Sequence, residues 1–236
     1  LNKKDADIDS LIKSPLSKIN KVDYNQIKKP ENIFIGRKNS LGIDLTEENN
    51  IELFSNLENI ENIKPTSVVN GSDKFTNVKE VIASPYNRLK ILGEVYYADD
   101  NVIKESIEKL TSYSKEWKNT DLDHRIDIVN NFANLLENNY HTLVSCCVKE
   151  AGKTIQDSID DIREAIDFCR YYLEEAKIIL KEKHLPGPTG EKNIYQLKGR
   201  GLTCVISPWN FPIAIFVGQM IASLVCGNVT IVKPAE

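Results

Sequence analysis

Residues 199–236 read GRGLTCVISPWNFPIAIFVGQMIASLVCGNVTIVKPAE, and the architecture can be worked out from this segment. Leu202, Cys204, Val205 and Ile206, and later Val229, Ile231 and Val232, form short, largely β-branched apolar runs. Such runs are expected of parallel strands buried on both faces. Residues 213–226 between them are nearly all apolar, which predicts a helix packed on several sides. Pro208 and Pro212 forbid strand pairing through the intervening turn, and Pro212 suits a first helical turn, where no amide donor is needed. Gly227 and Asn228 supply a left-handed stop. The pattern is strand 202–206, turn, helix 213–226, strand 229–233: a β-α-β unit in an α/β protein. Its apolar block is shorter than the roughly 20 residues that cross a bilayer, and Pro208, Asn210, Pro212 and Asn228 interrupt the wider window, so no transmembrane segment is expected.

The 236 residues, 41% hydrophobic and 27% charged, suffice for a sizeable core. A net charge of -4 argues against nucleic acid as the main partner. No basic segment followed by an apolar one opens the chain, so the expected location is cytoplasmic. Cys146, Cys147, Cys169, Cys204 and Cys226 sit in helical or strand patterns without metal-ligand spacing and read as reduced core residues, with no metal site. His124, His141 and His184 are scattered and have no catalytic neighbour in sequence.

Upstream, residues 1–32 are Lys-, Asp- and Asn-rich and read as a linker or arm with one short helical turn near 9–13; the main unit is taken as 33–236. A polar helix or loop is expected up to residue 64. Residues 82–99 read as a strand pair, with Ser84 and Pro85 at the turn and Gly93 at a bend. Ile103, Ile107, Leu110 and Trp117 mark a first amphipathic helix. Val129, Phe132, Leu136, Tyr140, Leu143 and Cys147 mark a second, opened by Thr120 with Asp123 three residues on. A third, 155–176, carries Ile155, Ile159, Ile162, Ile166, Cys169, Leu173 and Ala176. The GKT triplet at 152–154 is not a phosphate loop, because that motif needs a Gly where Cys147 stands and a strand before it. Residues 185–191 are turn-rich, and 193–198 alternate like an exposed strand.

The turn Pro208-Trp209-Asn210-Phe211-Pro212 and the strand end Lys233-Pro234-Ala235-Glu236, at this spacing, resemble the aldehyde dehydrogenase superfamily. Structural roles alone account for Pro208, Trp209, Phe211 and Pro212, whereas an Asn in a rigid apolar turn is costly unless its amide has a function of its own. The resemblance implies such a function, in which Asn210 holds the oxyanion formed when a cysteine thiolate adds to an aldehyde. It further implies that Lys233 and Glu236 bind the adenosine ribose of NAD. Ile206, Ser207, Pro208 and Trp209 would form the wall against which NAD lies, and Phe211 would line the aldehyde tunnel.

Arg37-Lys38-Asn39-Ser40-Leu41-Gly42-Ile43-Asp44-Leu45, residues 163–172 and the PGPTGE text at 186–191 resemble the 1-pyrroline-5-carboxylate dehydrogenases, and specifically the dehydrogenase half of bifunctional proline utilization A proteins. The Glu150-Ala151-Gly152-Lys153-Thr154 turn resembles theirs too, which implies a contact of Glu150 with the substrate amino group; a surface carboxylate at a helix end is the alternative. The implied fold is the N-terminal part of a Rossmann-like NAD-binding domain with helices and an oligomerisation-flap strand, the catalytic domain being absent.

The implied activity is NAD-dependent oxidation of L-glutamate γ-semialdehyde to glutamate, in a homo-oligomeric parent. The family's nucleophilic Cys, general-base Glu and catalytic half have no counterpart here, so the 236-residue chain alone is expected to be inactive, and marginally stable or associating unless the remainder is supplied. Leu1 at the start leaves processing, an unusual start codon or a longer parent open. The alternatives are another aldehyde dehydrogenase, or a non-catalytic split-gene remnant that only binds partners.

Overall fold

A computed structural model describes residues 7–14, 16, 27–60 and 62–235. Much of the expected arm at 1–32 lies outside these residues, as does Glu236. Within the arm, helix α1 (Ile8–Leu11) is one turn, opened by Asp7, whose carboxylate accepts from the Asp9 amide at 3.1 Å. Further on, the Asp167 carboxylate accepts from both the amide and the hydroxyl of Ser40, at 2.6 and 3.0 Å, so the 33–45 segment is fastened to the helical core. Ile43 and Leu45 pack against that core. Helix α2 (Glu48–Ser55) then buries Phe54.

Strands β1 (Ser67–Val69) and β2 (Ser72–Lys74) form a hairpin that the sequence patterns above do not predict. Its signal is the Asn70-Gly71 pair, whose φ angles of 50° and 73° are both positive, as a type I′ turn requires. Strands β3 (Lys79–Ser84) and β4 (Asn87–Tyr96) are the expected antiparallel pair, with register shifts on either side of Ala83. Gly93 lies where the chain at Ile63 bridges to β4, and a Cβ there would collide with the Ile63 carbonyl.

Helix α3 (Asp100–Asn119) starts at Asp99, which accepts from the amides of Asn101 and Val102. Helix α4 (Leu122–Asn138) is opened by Asp121 rather than Thr120: the Asp121 carboxylate accepts from the Asp123 amide at 2.8 Å, while the Thr120 hydroxyl turns back to the Glu116 carbonyl. The apolar stripe read as one helix is two, because Asn139 interrupts it. Its side-chain amide donates to the Leu135 carbonyl, and helix α5 (Tyr140–Lys149) starts afresh. Helix α6 (Ile155–Ile179) is N-capped by Thr154, whose hydroxyl accepts from the Asp157 amide and donates to the Asp157 carboxylate. Strands β5 (Lys183–Leu185) and β6 (Asn193–Tyr195) pair as a largely exposed hairpin across the turn-rich 186–191 segment.

The β-α-β unit forms as read. β7 (Leu202–Ile206) and β8 (Val229–Lys233) are parallel, with Leu202 opposite Val229 and Ile206 opposite Lys233. Helix α7 (Ala214–Val225) crosses between them, and Gly227, at φ 85°, makes the stop. The Asn228 side chain accepts from the amides of Arg200 and Gly201 and donates to the Ser223 carbonyl, tying the end of the helix to the start of β7. One expectation fails: β7 is not buried on both faces. Leu202, Cys204 and Ile206 are exposed, because no described layer covers that face, and Cys204 is therefore a surface thiol rather than a core one.

The core lies where α4, α5, α6 and α7 meet, around Val129, Ala133, Val144, Ile159, Ile162, Ile166, Val217 and Ile221. Each fully buried isoleucine of α6 contributes roughly 1.5–3 kcal/mol relative to exposure. Arg125, almost wholly buried, donates to the carbonyls of Val225, Thr120, Trp117 and Lys118, and the Trp117 indole donates to the Leu224 carbonyl. The C-terminal ends of α3 and α7 are thus joined through one guanidinium. Among the described residues, no helix is long and apolar enough to cross a membrane.

Gly93→Ala is expected to push the Ile63 segment off β4 and to cost roughly 1–3 kcal/mol. Urea denaturation followed by circular dichroism measures the loss; an unchanged midpoint would show that the close approach is not needed.

Candidate active site

The 207–213 turn leaves the C-terminal end of β7 and is held at both ends. The amide and hydroxyl of Ser207 both donate to the Lys233 carbonyl, at 3.1 and 3.2 Å, so the start of the turn is fastened to the end of β8. At the other end, the Ala214 amide, at the first position of α7, donates to the Asp161 carboxylate at 2.8 Å. Asp161 projects from α6 and is fully buried. Its second oxygen accepts from the Lys153 ammonium at 3.0 Å, an ion pair whose side chains are 13% and 0% exposed.

The same ammonium donates to the Asn210 carbonyl at 3.3 Å and lies 4.7 Å from the centre of the Phe211 ring. Lys153 and Asp161 therefore grip the turn through its backbone, an aromatic face and the start of its helix. Sequence reasoning singles out Glu150 in this loop and passes over both. The available signal is Asp161 itself, a carboxylate on the face of α6 that also carries the buried Ser158 and Ala165.

Asn210 is exposed, which corrects the premise that its amide is costly because it is enclosed. Among the described residues, nothing hydrogen-bonds its side-chain amide. Ile206 and Trp209 are 67% and 77% exposed, Pro208 and Phe211 are exposed, and Ser207 is buried. Lys233, also exposed, sits opposite Ile206 in the register. The structure thus brings Ile206, Ser207, Pro208, Trp209, Asn210, Phe211 and Lys233 together at the C-terminal ends of two parallel strands. Glu236 lies outside the described residues.

Glu150 ends α5, and its backbone amide donates to the carbonyls of Cys146 and Cys147. The residue is exposed, yet surrounding protein desolvates its carboxyl enough to push its pKa above the usual value. Gly152, at φ 68°, packs the loop on Pro85 of the β3–β4 turn. Burial raises the pKa of the Cys146 and Cys226 thiols and pushes those of Cys147 and Cys169 up to about 12. Cys204 is exposed, and among the described residues no base is hydrogen-bonded to it.

A profile described as the aldehyde dehydrogenase family matches residues 73–236. The chain belongs to the aldehyde dehydrogenase family. A relative from Staphylococcus saprophyticus named 1-pyrroline-5-carboxylate dehydrogenase is 31% identical over 202 residues, which cover 84% of this chain and 39% of that protein. The bifunctional protein PutA of Klebsiella aerogenes is 31% identical over 97% of this chain and 18% of its own length. Among solved aldehyde dehydrogenase structures, the Thermus 1-pyrroline-5-carboxylate dehydrogenase with bound NAD superposes with a TM-score of 0.79 at 25% identity, covering 86% of this chain and 40% of that one. Proline utilization A from Bdellovibrio bacteriovorus gives 0.71 at 32% identity, over 74% of this chain and 18% of that one. The chain thus spans about two-fifths or less of these relatives. The α/β aldehyde dehydrogenase fold implied by the resemblance of the 208–212 turn and the 233–236 strand end is the one found.

Asp161→Ala leaves the Lys153 charge unpaired and α7 without its acceptor; breaking a buried pair in this way costs about 3–5 kcal/mol. Equilibrium unfolding in urea tests this, and a loss under about 1 kcal/mol would deny the pair its role in stability. Native-state titration with a disulfide reagent near pH 8 is expected to label Cys204 at once, and Cys147 and Cys169 only on unfolding. Both buried thiols have folded pKa values above their unfolded value, so the folded state holds their protons more tightly. Stability should therefore fall as pH rises from about 9 towards 12. A thermal midpoint unchanged across that window would contradict the assignment.

Proposed function

We propose that this chain supplies the oxyanion-side turn and the cofactor-binding strand ends of an NAD-dependent 1-pyrroline-5-carboxylate dehydrogenase, which oxidises L-glutamate γ-semialdehyde to glutamate in proline breakdown. The observation that carries the reading is the Asn210 carboxamide. It is exposed and, among the described residues, without a protein partner, on a turn whose backbone is fixed on both sides, at the carboxyl ends of two parallel strands. In open α/β sheets ligands bind at those ends. An amide carried on a fixed backbone, with its N–H groups free, suits a negative charge that develops on a carbonyl oxygen.

The exposed residues fit a dinucleotide. Ile206, Pro208 and Trp209 offer an uncovered apolar wall, and the Lys233 side chain adds a hydrogen-bond donor beside it for ribose hydroxyls, with Glu236 as the second ribose contact. NAD, when bound there, accepts the hydride. Phe211 borders the aldehyde, with its ring held by Lys153. Glu150, a partly desolvated carboxylate that accepts no hydrogen bond among the described residues, is the partner for the cationic amino group of the substrate. The β5–β6 hairpin is the surface through which subunits of the complete enzyme pair.

The described stretch does not itself complete the chemistry. Four of its five thiols are disfavoured as thiolates by burial, and Cys204 has no base hydrogen-bonded to it among the described residues, which argues against a nucleophile among them. The 236-residue chain, purified to homogeneity, is expected to form no NADH with glutamate semialdehyde; turnover by it would refute this part of the reading.

The substrate assignment is tested on the native gene product purified from its source cells. An aldehyde panel with NAD should show glutamate semialdehyde preferred, and Asn210→Ala should lower kcat by about 10²–10³. Preference for aliphatic aldehydes would move the protein to another branch of the family, and an unaffected Asn210→Ala variant would remove the oxyanion role.

A further inference from the structure

The Asn210 turn is gripped in a way that its hydrogen-bonding needs alone do not require. The Asn210 carbonyl is exposed and would be satisfied by water, yet it takes a lysine ammonium whose side chain is only 13% exposed. That ammonium has three contacts on two parts of the chain: the fully buried carboxylate of Asp161 on α6 and, in the turn, the carbonyl of Asn210 and the face of Phe211. Asp161 has two, the ammonium and the first amide of α7. The chain from Asn210 to Ala214 is thus fixed at the Asn210–Phe211 peptide, at the Phe211 ring, at the Phe211 carbonyl, which accepts from the Ile215 amide at 3.3 Å, and at the Ala214 amide. The Asn210 carboxamide, in contrast, has no partner among the described residues.

We infer that Lys153 and Asp161 are positioning residues for Asn210: the ammonium, itself held by the carboxylate, fixes the Asn210–Phe211 peptide plane and thereby the backbone position from which the carboxamide projects. This rests on the dehydrogenase reading above and deepens it. Holding the backbone carbonyl removes the rotation about ψ of Asn210 that would swing the side chain away. Holding the Phe211 ring with the same charge keeps the neighbouring side chain from taking its place. The ammonium–carboxylate pair works at low exposure, where charge-assisted bonds are strong. A misplacement of about 1 Å at a reacting group can cost as much as about 10²-fold in rate. Burial raises the pKa of Glu164, the Asp161 charge raises it further and the Lys153 charge lowers it, so Glu164 belongs to the same electrostatic neighbourhood and must be left unchanged in the test.

Two variants separate positioning from support. Lys153→Met keeps much of the side-chain length and loses the charge; Asp161→Asn keeps an acceptor for the Ala214 amide and loses the charge that holds Lys153. In nitrogen-15 spectra of the intact protein, the Asn210 side-chain NH2 signals are assigned by their loss in Asn210→Asp. Both variants are expected to shift and broaden these signals while the β7 and β8 amides stay in place, and Lys153→Arg is expected to restore them. Unmoved Asn210 signals in folded Lys153→Met would overturn the inference.

In the native gene product, Lys153→Met should lower kcat by about 10- to 100-fold with KM for NAD within a factor of about two. It should add nothing to the loss already caused by Asn210→Ala. A fully additive double variant, or a change confined to the KM for NAD, would also overturn it. If the native protein oxidises no aldehyde at all, the dehydrogenase reading fails by itself, and the spectra alone decide whether Lys153 and Asp161 aim Asn210.

Discussion

The buried carboxylate of Asp161 is the constraint on which the rest of the arrangement depends. A charge removed from water in this way is tolerated only when it is paired and hydrogen-bonded, and Asp161 meets the condition with one oxygen on Lys153 and the other on the first amide of α7. Each partner is thereby held to a single place. The loop between α5 and α6 is drawn onto the turn after β7, and the helix that crosses between the two parallel strands starts where the carboxylate lets it. Ser207, which hands both its donors to the carbonyl of Lys233, completes the frame from the sheet side.

Arg125 solves the mirror problem at the far end of α7. Helix C-termini carry unpaired carbonyls and a partial negative charge. Here one buried guanidinium satisfies carbonyls from the ends of both α3 and α7. Burial lowers its pKa, and the neighbouring Cys226 and Asp121 raise it. The helix that carries the turn is therefore charge-compensated at both ends: an anion at its first amide, a cation at its last carbonyls.

What the sequence disclosed follows from how local each feature is. The β-α-β unit was legible because its strands, prolines and Gly227 stop are each decided within a few residues, and α6 because its stripe repeats from Ile155 to Ala176. The Thr120 start failed because Asp121 competes for the same amide and wins with a carboxylate. The merged helix failed because the apolar spacing carries across Asn139 and hides the break. Burial of β7 was inferred from composition, yet composition cannot say whether anything lies on a given face of a strand. In the site, the turn residues were legible through their motif, while Lys153 and Asp161 were not. Their hold on the turn runs through contacts across 53 to 58 residues, which no local pattern records.

That separation also bears on the order of assembly. The hairpins and the α5–α6 packing close short loops, whereas the grip on the turn joins segments more than fifty residues apart, and loop-closure entropy must be met before such a contact repays it. It is therefore expected to close later than the hairpins. Interactions formed after the rate-limiting step act chiefly on the speed of unfolding. If the grip closes after that step, its loss speeds unfolding more than it slows refolding, and the geometry around Asn210 is guarded kinetically.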